Sequence, residues 1–540
     1  MCGIWAIFGI PNYPQYISHA LKIASRGPDC FHMQTVPEFQ NCCLAFHWLK
    51  VVDDLFGMQP MRFMKLPYFY MMFDGRIYNH KELGEKYKFD YTGNSDAEVI
   101  LHLYNKFGIV KTAQLIDGVF AFCIIDTARK EMHLARDTFG VRPLFTLTAP
   151  ETNQILAICS EIKGLAPVGE SLKQDGLEIE IKHLLPGNFA SYSLAVDGCN
   201  TLLKYESYTH VGKPPEFDLG LQPKAVDVME NIRDLLSEAV CKRLMGDRRV
   251  GCYLSGGLDS SLISALVTKF AKERGLMYPI QTFSIGMEGS PDIKAAREVA
   301  AHIGSEHQEV ILTLEQGIEA LRQTIYTTES YDPLLIQSAV FHYLLSKYIS
   351  EKTDTVVLLS GEGADSLFQG FSYYHKAPSP EEADRESRHA LGAMYTCGGM
   401  RADRCNSAHG LEHRAPFVDV QFMSYVLSLP AYTRQPKDGY EKWLLRASFD
   451  KTNLIPKNIL WRSKLMFNEG ASPSSLGESW FDILQKRLER QISDDAMAQA
   501  KVLYPFNTPK SKEALYYRQV FEELFPGCDQ LMPSLWAPKW

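Results

Sequence analysis

The chain has 540 residues, 46% of them hydrophobic and 22% charged, with a formal net charge of -8. That length exceeds what one core organises and fits about two to four domains. The acidic balance, with a pI of about 6.0, argues against a non-specific nucleic-acid surface or a basic membrane-docking face. The 12 scattered cysteines lack CxxC spacing and suit reduced thiols in a cytoplasmic protein better than a disulfide framework or zinc site. The N-terminus has no basic region of a secretory signal, and no run of ~18 apolar residues suggests a membrane span.

The first element is the strand-like run Met1-Cys2-Gly3-Ile4-Trp5-Ala6-Ile7-Phe8-Gly9. With Met1 removed, Cys2 carries a thiol and a free α-amine, which titrate near ~8.5 and ~8. The amine then takes the place of the histidine in a Cys-His pair. Position alone favours a chance cysteine; the strand-like apolar run after it, with Gly3 allowing close approach to the reacting atom, brings the catalytic reading level with chance. Residues 1 to about 205 continue as short strand runs ending in turn residues: Cys43–Phe46, Tyr68–Phe73 before Asp74-Gly75, Gly118–Asp126 and Ile155–Cys159. Asp96–Lys106 has helical spacing. Strands with few helices between them predict stacked sheets with helices outside. Residues 206–225, rich in Pro and Gly, read as a linker. Beyond it, strand runs at Val250–Leu254, Ile280–Ile285 and Thr355–Leu359 alternate with helical runs at Val228–Arg243, Ser261–Lys272, Ala295–Ile303 and Ser338–Ser350. That alternation predicts βαβ units and a parallel sheet. The last ~150 residues read as more helical and irregular.

Two loops carry chemistry. The strand Val250–Leu254 runs into Ser255-Gly256-Gly257-Leu258-Asp259-Ser260-Ser261 and then a helix. Strand, Gly-rich turn and helix N-terminus form an anion site of backbone dipoles and hydroxyls. It is not a Walker A loop, since no Lys-Ser/Thr follows the glycines. Asp259 would repel bare phosphate and is therefore expected to hold Mg²⁺, which favours one or two carboxylates plus phosphate oxygens. Val356–Leu359 leads likewise into Ser360-Gly361-Glu362-Gly363-Ala364-Asp365. Facing loops at the carboxyl edge of a parallel sheet bind ligands in such folds. Asp259 and Asp365 would then share one Mg²⁺, leaving Glu362 for proton work. A plain strand-turn-helix and an acidic solvated turn are the bland alternatives.

These motifs sit within a longer ordered series: MCGIWAIFG at 1–9, SRGPD at 25–29, FDGRIYNH at 73–80, RDTFGVRPLF at 136–145, SEIKGL at 160–165, LSGGLDSS at 254–261, SIGMEGSPD at 284–292, SGEGAD at 360–365, RADR at 401–404 and EHRAPFVD at 412–419. Together they resemble the glutamine-dependent asparagine synthetases over roughly the whole chain. The resemblance implies an α+β N-terminal-nucleophile sandwich of antiparallel sheets between helices at 1–205. It implies an α/β parallel-sheet PP-loop ATP pyrophosphatase domain at 226–540. In such a protein Cys2 attacks the glutamine carboxamide and ammonia passes to the second site. There ATP activates aspartate as β-aspartyl-AMP, and ammonia displaces AMP. Carried over, the catalytic residues are Cys2, Glu362 and Lys464. The glutamine pocket is Trp48, Leu49, Lys50, Val51, Val52, Asp74, Gly75, Arg76 and Asp96. Leu254, Ser255, Gly256, Gly257, Asp259, Ser260, Ile285, Ser360 and Gly361 frame ATP, with Asp259 and Asp365 on Mg²⁺. The implied partners are glutamine, aspartate, ATP and ammonia, with neither nucleic acid nor membrane. A homodimer is compatible with the resemblance.

The chain departs from the family pattern where substrates are handled. His47-Trp48-Leu49 stands for His-Arg-Leu, so the arginine that would grip the glutamine carboxylate is missing. Asp74-Gly75-Arg76 stands for Asn-Gly-Glu. An ionised Asp74 donates nothing to an oxyanion, and losing one such donor typically costs ~10²–10³ in rate. Leu334-Leu335-Ile336-Gln337 stands for Thr-Thr-x-Arg. Ser366 and Leu465 replace glutamates, and Asn468-Glu469-Gly470 replaces Ser-Asp-Gly. The departures leave open a catalytically weakened nucleotide-binding paralogue with a regulatory or structural role, or an amidotransferase with another acceptor.

Overall fold

A computed structural model describes residues 1–52, 57–213, 227–465, 470–472, 479–533, 535 and 537–540. The chain divides into two compact units. One comprises Met1–Leu219, Met245–Arg248 and Ser407–Gly410; the other comprises Gly220–Leu244, Arg249–Asn406 and Leu411–Trp540.

The first unit contains two six-stranded antiparallel sheets. One runs in the order Glu180–His183, Phe145–Ala149, Gln154–Cys159, Gly3–Ile7, Cys43–Trp48, Cys30–Thr35. Gly3–Ile7 is paired on both edges, and every side chain of Ile4–Ile7 is buried. An apolar run without alternation is what a strand covered on both faces requires. The second sheet runs Leu202–Ser207, Asn188–Ser193, Glu131–Arg136, Gly118–Asp126, Leu66–Ile77, Met61–Phe63. The helix Glu98–Leu115 packs Val99, Leu103 and Tyr104 into one cluster with Phe73, Phe120 and Phe122 of that sheet. Its helical geometry breaks at Gly108, φ 77, two residues past the predicted segment. The stacked-sheet expectation therefore holds.

Asp74-Gly75 is not a turn. The strand Leu66–Ile77 runs straight through both residues and pairs Asp74 with Ala121 and Gly75 with Phe120. The glycine is there for another reason. At φ 153 a Cβ on Gly75 would lie 2.0 Å from the Val119 carbonyl oxygen of the neighbouring strand. The expected linker also starts later than read, because Leu202–Ser207 is a strand paired with Asn188–Ser193. Residues 214–225 of that linker lie outside the described residues.

The second unit holds a five-stranded parallel sheet in the order Glu306–Leu312, Gln281–Met287, Arg249–Tyr253, Thr355–Leu359, Glu412–Arg414. The predicted helices are present as Val228–Lys242, Leu258–Glu273, Pro291–Ile303 and Pro333–Lys352. Two strands escaped prediction. Glu306–Leu312 mixes charged and apolar residues, and Glu412–Arg414 is three residues long. Because Cys252 registers with Leu359, the strands ending before Ser255 and before Ser360 finish side by side. Their loops thus emerge together at one sheet edge, as the topology of such sheets favours. Among the described residues no helix is long and apolar enough to cross a membrane.

Candidate functional site

In the first unit the Cys2 backbone nitrogen donates to Asp74 Oδ1 at 2.7 Å. Asp74 Oδ2 accepts from Arg26 Nη2 at 2.8 Å. Arg26 also donates through Nε to the Cys2 carbonyl at 2.7 Å and through Nη1 to Glu161 Oε1 at 2.7 Å. All four residues are buried. Burial pushes the Cys2 thiol up to about 11; the N-terminal ammonium opposes the rise, Asp74 adds to it, and Arg76 and the Leu49 backbone N–H oppose it. Met1 is buried as well, with Arg142 Nη1 2.8 Å from its sulfur.

The remaining residues of the expected glutamine pocket have other commitments. Arg76 is buried and donates Nη1 to the Gly75 carbonyl at 2.8 Å. Asp96 accepts the Ile77 N–H at 2.7 Å. The Trp48 ring lies under Lys50 Nζ, 5.1 Å from its centroid, and the Lys50 N–H is held by Asp29 at 2.7 Å. Leu49 and Val51 are buried and Val52 is half-buried. The structure thus brings Asp74, Arg76 and the Leu49 N–H to bear on Cys2. Arg26, the hub of this cluster, was missed as a functional residue although it lies inside the quoted SRGPD motif.

The second unit carries a cavity of about 360 Å³. Leu254, Ser255, Gly257, Asp259, Ser260, Ile285, Ser360, Gly361, Glu362, Asp365 and Lys464 all line it, as the sequence predicts. Gly256 does not. At φ 74 it turns from the cavity, its carbonyl accepts from Arg462 Nη1 at 3.1 Å, and a Cβ there would sit 2.5 Å from the Ala296 nitrogen. Gly256→Ala should therefore distort the loop and destabilise the second unit by about 1–3 kcal/mol. Denaturant unfolding of the variant against the parent checks this. The two loops meet so closely that a Cβ on Gly361 would lie 2.5 Å from Asp259 Cβ.

The charges in this cavity interlock. Lys442 Nζ bridges Asp259 Oδ2 at 2.5 Å and Asp365 Oδ1 at 2.8 Å, and Lys464 Nζ takes Asp365 Oδ2 at 2.6 Å. Burial raises the Asp365 carboxyl, but Lys442 and Lys464 outweigh it and hold it well below the usual carboxylate range. Burial lowers Lys442, and the two aspartates outweigh that and hold it above its ordinary value. Glu362 Oε2 accepts from Arg401 Nη2 at 2.5 Å, and Arg401 Nη1 reaches Ser338 Oγ at 2.8 Å. Gly398 makes room for the carboxylate, since a Cβ there would lie 2.2 Å from Glu362 Oε1. Lys442 and Arg401 are functional candidates that sequence reasoning missed. Arg401 stands in the quoted RADR string without an assigned role. Lys442 follows an Asp438-Gly439 turn in the irregular final third and carries no motif signal.

Asp259 Oδ1 is buried with no hydrogen-bond partner among the described residues. A buried carboxylate oxygen left over from a lysine bridge is costly unless something electropositive joins it. It therefore fits a divalent cation supplied with a nucleotide. Among the described residues no cluster of three or more His, Cys, Asp or Glu side chains forms a metal site of its own.

Leu334, Leu335, Leu465 and Ser366 also line the cavity. The Gln337 amide donates to Glu513 Oε1 at 3.2 Å, so it is committed within the protein. Gly470 packs against Asp292, where a Cβ would meet the carboxylate at 2.1 Å; Asn468 and Glu469 lie outside the described residues.

Comparison with known proteins accords with this geometry. The asparagine synthase family model matches residues 231–392 and 376–540, and the glutamine amidotransferase domain matches residues 1–190. The chain is 49% identical over 549 residues to the glutamine-hydrolysing asparagine synthetases of Gallus gallus and Homo sapiens, covering 100% of this chain and 96% of each relative. The Mus musculus protein of the same name is 48% identical over 555 residues, with the same coverage. Two matched domains in one order, and identity along the whole chain, make this protein a member of the glutamine-hydrolysing asparagine synthetase family.

Proposed function

We infer that this chain is an ATP-dependent ligase that amidates aspartate to asparagine, with ammonia released from glutamine at Cys2 or taken up as free ammonium. The observation that carries the reading is the interlocked pair Asp259 and Asp365, with Lys442, Lys464 and one orphaned carboxylate oxygen at the end of a parallel sheet. Residues 1–205 would house the amide-nitrogen half and residues 226–540 the ATP half.

An aspartate carboxylate is a poor electrophile until one oxygen becomes part of a leaving group. Its attack on the α-phosphorus expels pyrophosphate and leaves β-aspartyl-AMP. Lys442 and Lys464 would meet the charge that grows on the departing pyrophosphate, a task that fixed cations perform without reorganisation. Asp259 and Asp365 would hold Mg²⁺, which when bound neutralises phosphate charge. Ammonia then bonds to the acyl carbon, the carbon–oxygen bond to AMP breaks, and Glu362 accepts the surplus proton. Arg401, 2.5 Å from Glu362, keeps that carboxylate aimed. The Ser255, Gly257 and Ser260 loop supports phosphate binding by its backbone and hydroxyls.

The test is pyrophosphate release from ATP with aspartate and ammonium. Release that requires aspartate is expected, with asparagine as its co-product; ATP binding without turnover overturns the reading. Leu334, Leu335 and Leu465 at the cavity wall favour one alternative, a weakened paralogue that binds nucleotide, and that second outcome is its signature.

A further inference from the structure

The fixed carboxylate beside the Cys2 nitrogen bears on which nitrogen donor this protein uses. Asp74 is fully buried and cannot swing away: one oxygen takes the Cys2 N–H at 2.7 Å and the other takes Arg26 Nη2 at 2.8 Å. Arg26 is itself pinned by the Cys2 carbonyl and Glu161, each at 2.7 Å, and Glu161 Oε2 is paired with Lys163 Nζ at 2.6 Å. Among the described residues, the charged groups around this nitrogen are Asp74 and Arg76 on one strand, Arg26, then Glu161 and Lys163 behind it, and Arg142 against Met1. Arg76 opposes Asp74 in sign. Its Nη1 rests on the Gly75 carbonyl, whereas the Asp74 carboxylate is in direct hydrogen-bond contact with the nitrogen.

Hydrolysis of glutamine at Cys2 begins with a proton to place. Sγ bonds to the carboxamide carbon while the thiol proton passes to the α-amine. The carbon–nitrogen bond then breaks, and the ammonium returns that proton to the departing nitrogen, which leaves as ammonia. Water cleaves the thioester, giving glutamate and the thiol. The first step needs a neutral amine, because an ammonium has no lone pair to accept the proton. A carboxylate in contact and out of water favours the charged form. The thiol, raised by burial, does not ionise unaided.

We propose that, once Met1 is removed, Asp74 clamps the Cys2 α-amine as an ammonium, so that at neutral pH free ammonia is a better nitrogen donor to this protein than glutamine. The proposal rests on the ligase reading above for the use of that nitrogen, but the clamp itself is readable without it.

Two measurements on the full chain lacking Met1 test it. Glutamate release from glutamine, followed from pH 7 to 9, should climb about tenfold per unit, the slope of one deprotonation. In Asp74→Asn it should be at least tenfold faster at pH 7 and nearly flat with pH. A wild-type rate that is flat over this range, or an Asn variant with the parent's profile, overturns the clamp. Independently of any variant, ¹⁵N NMR of the Cys2 amine in the wild type should give a midpoint above the ordinary α-amine value of ~8; a midpoint at or below it overturns the clamp. At pH 7, ammonium should drive pyrophosphate release at least tenfold faster than equimolar glutamine. Equal rates overturn the donor preference. Failure of both donors, with the amine midpoint still raised, overturns the ligase reading and leaves the clamp standing.

Discussion

Lys442→Met should abolish most ATP-dependent pyrophosphate release, by roughly 10²–10³-fold or more, the loss that follows removal of one preorganised charge facing a developing anion. Lys442 Nζ reaches both aspartates, at 2.5 and 2.8 Å, and the side chain is almost wholly buried. Methionine keeps most of the unbranched side chain and removes the ammonium. It leaves Asp259 without its lysine and Asp365 with Lys464 alone. Two aspartates then repel each other and any incoming phosphate. Lys464→Met should be milder, within about tenfold to a hundredfold, because Lys464 is more exposed and touches only Asp365 among the two. The assay is initial-rate pyrophosphate release for both variants, with ATP affinity measured alongside. If Lys464→Met proves the more severe, the ranking of the two cations is wrong.

That ranking was beyond the sequence, and the reason is physical. The loops at Ser255–Ser260 and Ser360–Asp365 were legible because a strand, glycines and a helix start are local signals, and the expected ATP residues other than Gly256 line one cavity. Gly256 was legible as a loop glycine but not as one facing away, since only the neighbouring Ala295–Ala296 backbone decides its direction. Lys442 has no local signal at all. Its position depends on a left-handed backbone, φ 54, that starts the helix Trp443–Phe449, and on Asp259 and Asp365, 183 and 77 residues earlier in the chain. Asp74-Gly75 reads as a turn by composition, yet the pairing of Leu66–Ile77 with Gly118–Asp126 overrides that preference. The charge change at Asp74 was visible in the sequence, whereas its compensation by Arg26 needed the tertiary fold.

The same compensation sets the second large effect. Arg26→Met should destabilise the first unit by roughly 3–5 kcal/mol, the cost of leaving a buried ionic partner uncompensated. Arg26 is fully buried, and its guanidinium reaches Asp74, Glu161 and the Cys2 carbonyl at 2.7–2.8 Å. Glu161 keeps Lys163 after the change, so the larger share of the loss falls on Asp74. At ~2–4 °C per kcal/mol for a unit of this size, the first thermal transition should fall by about 6–20 °C. The partner change separates charge from packing. Arg26→Met combined with Asp74→Leu removes both charges and should regain at least half of the loss, since buried ion pairs replaced by apolar residues are often near neutral. A double variant no more stable than Arg26→Met would mean that Arg26 acts through packing and its bond to the Cys2 carbonyl instead. A single-variant cost below about 1 kcal/mol would remove this charge network from the account of the fold. The expected coupling between the two sites is positive because the arginine is held in place to offset a carboxylate where a strand interior otherwise accepts none.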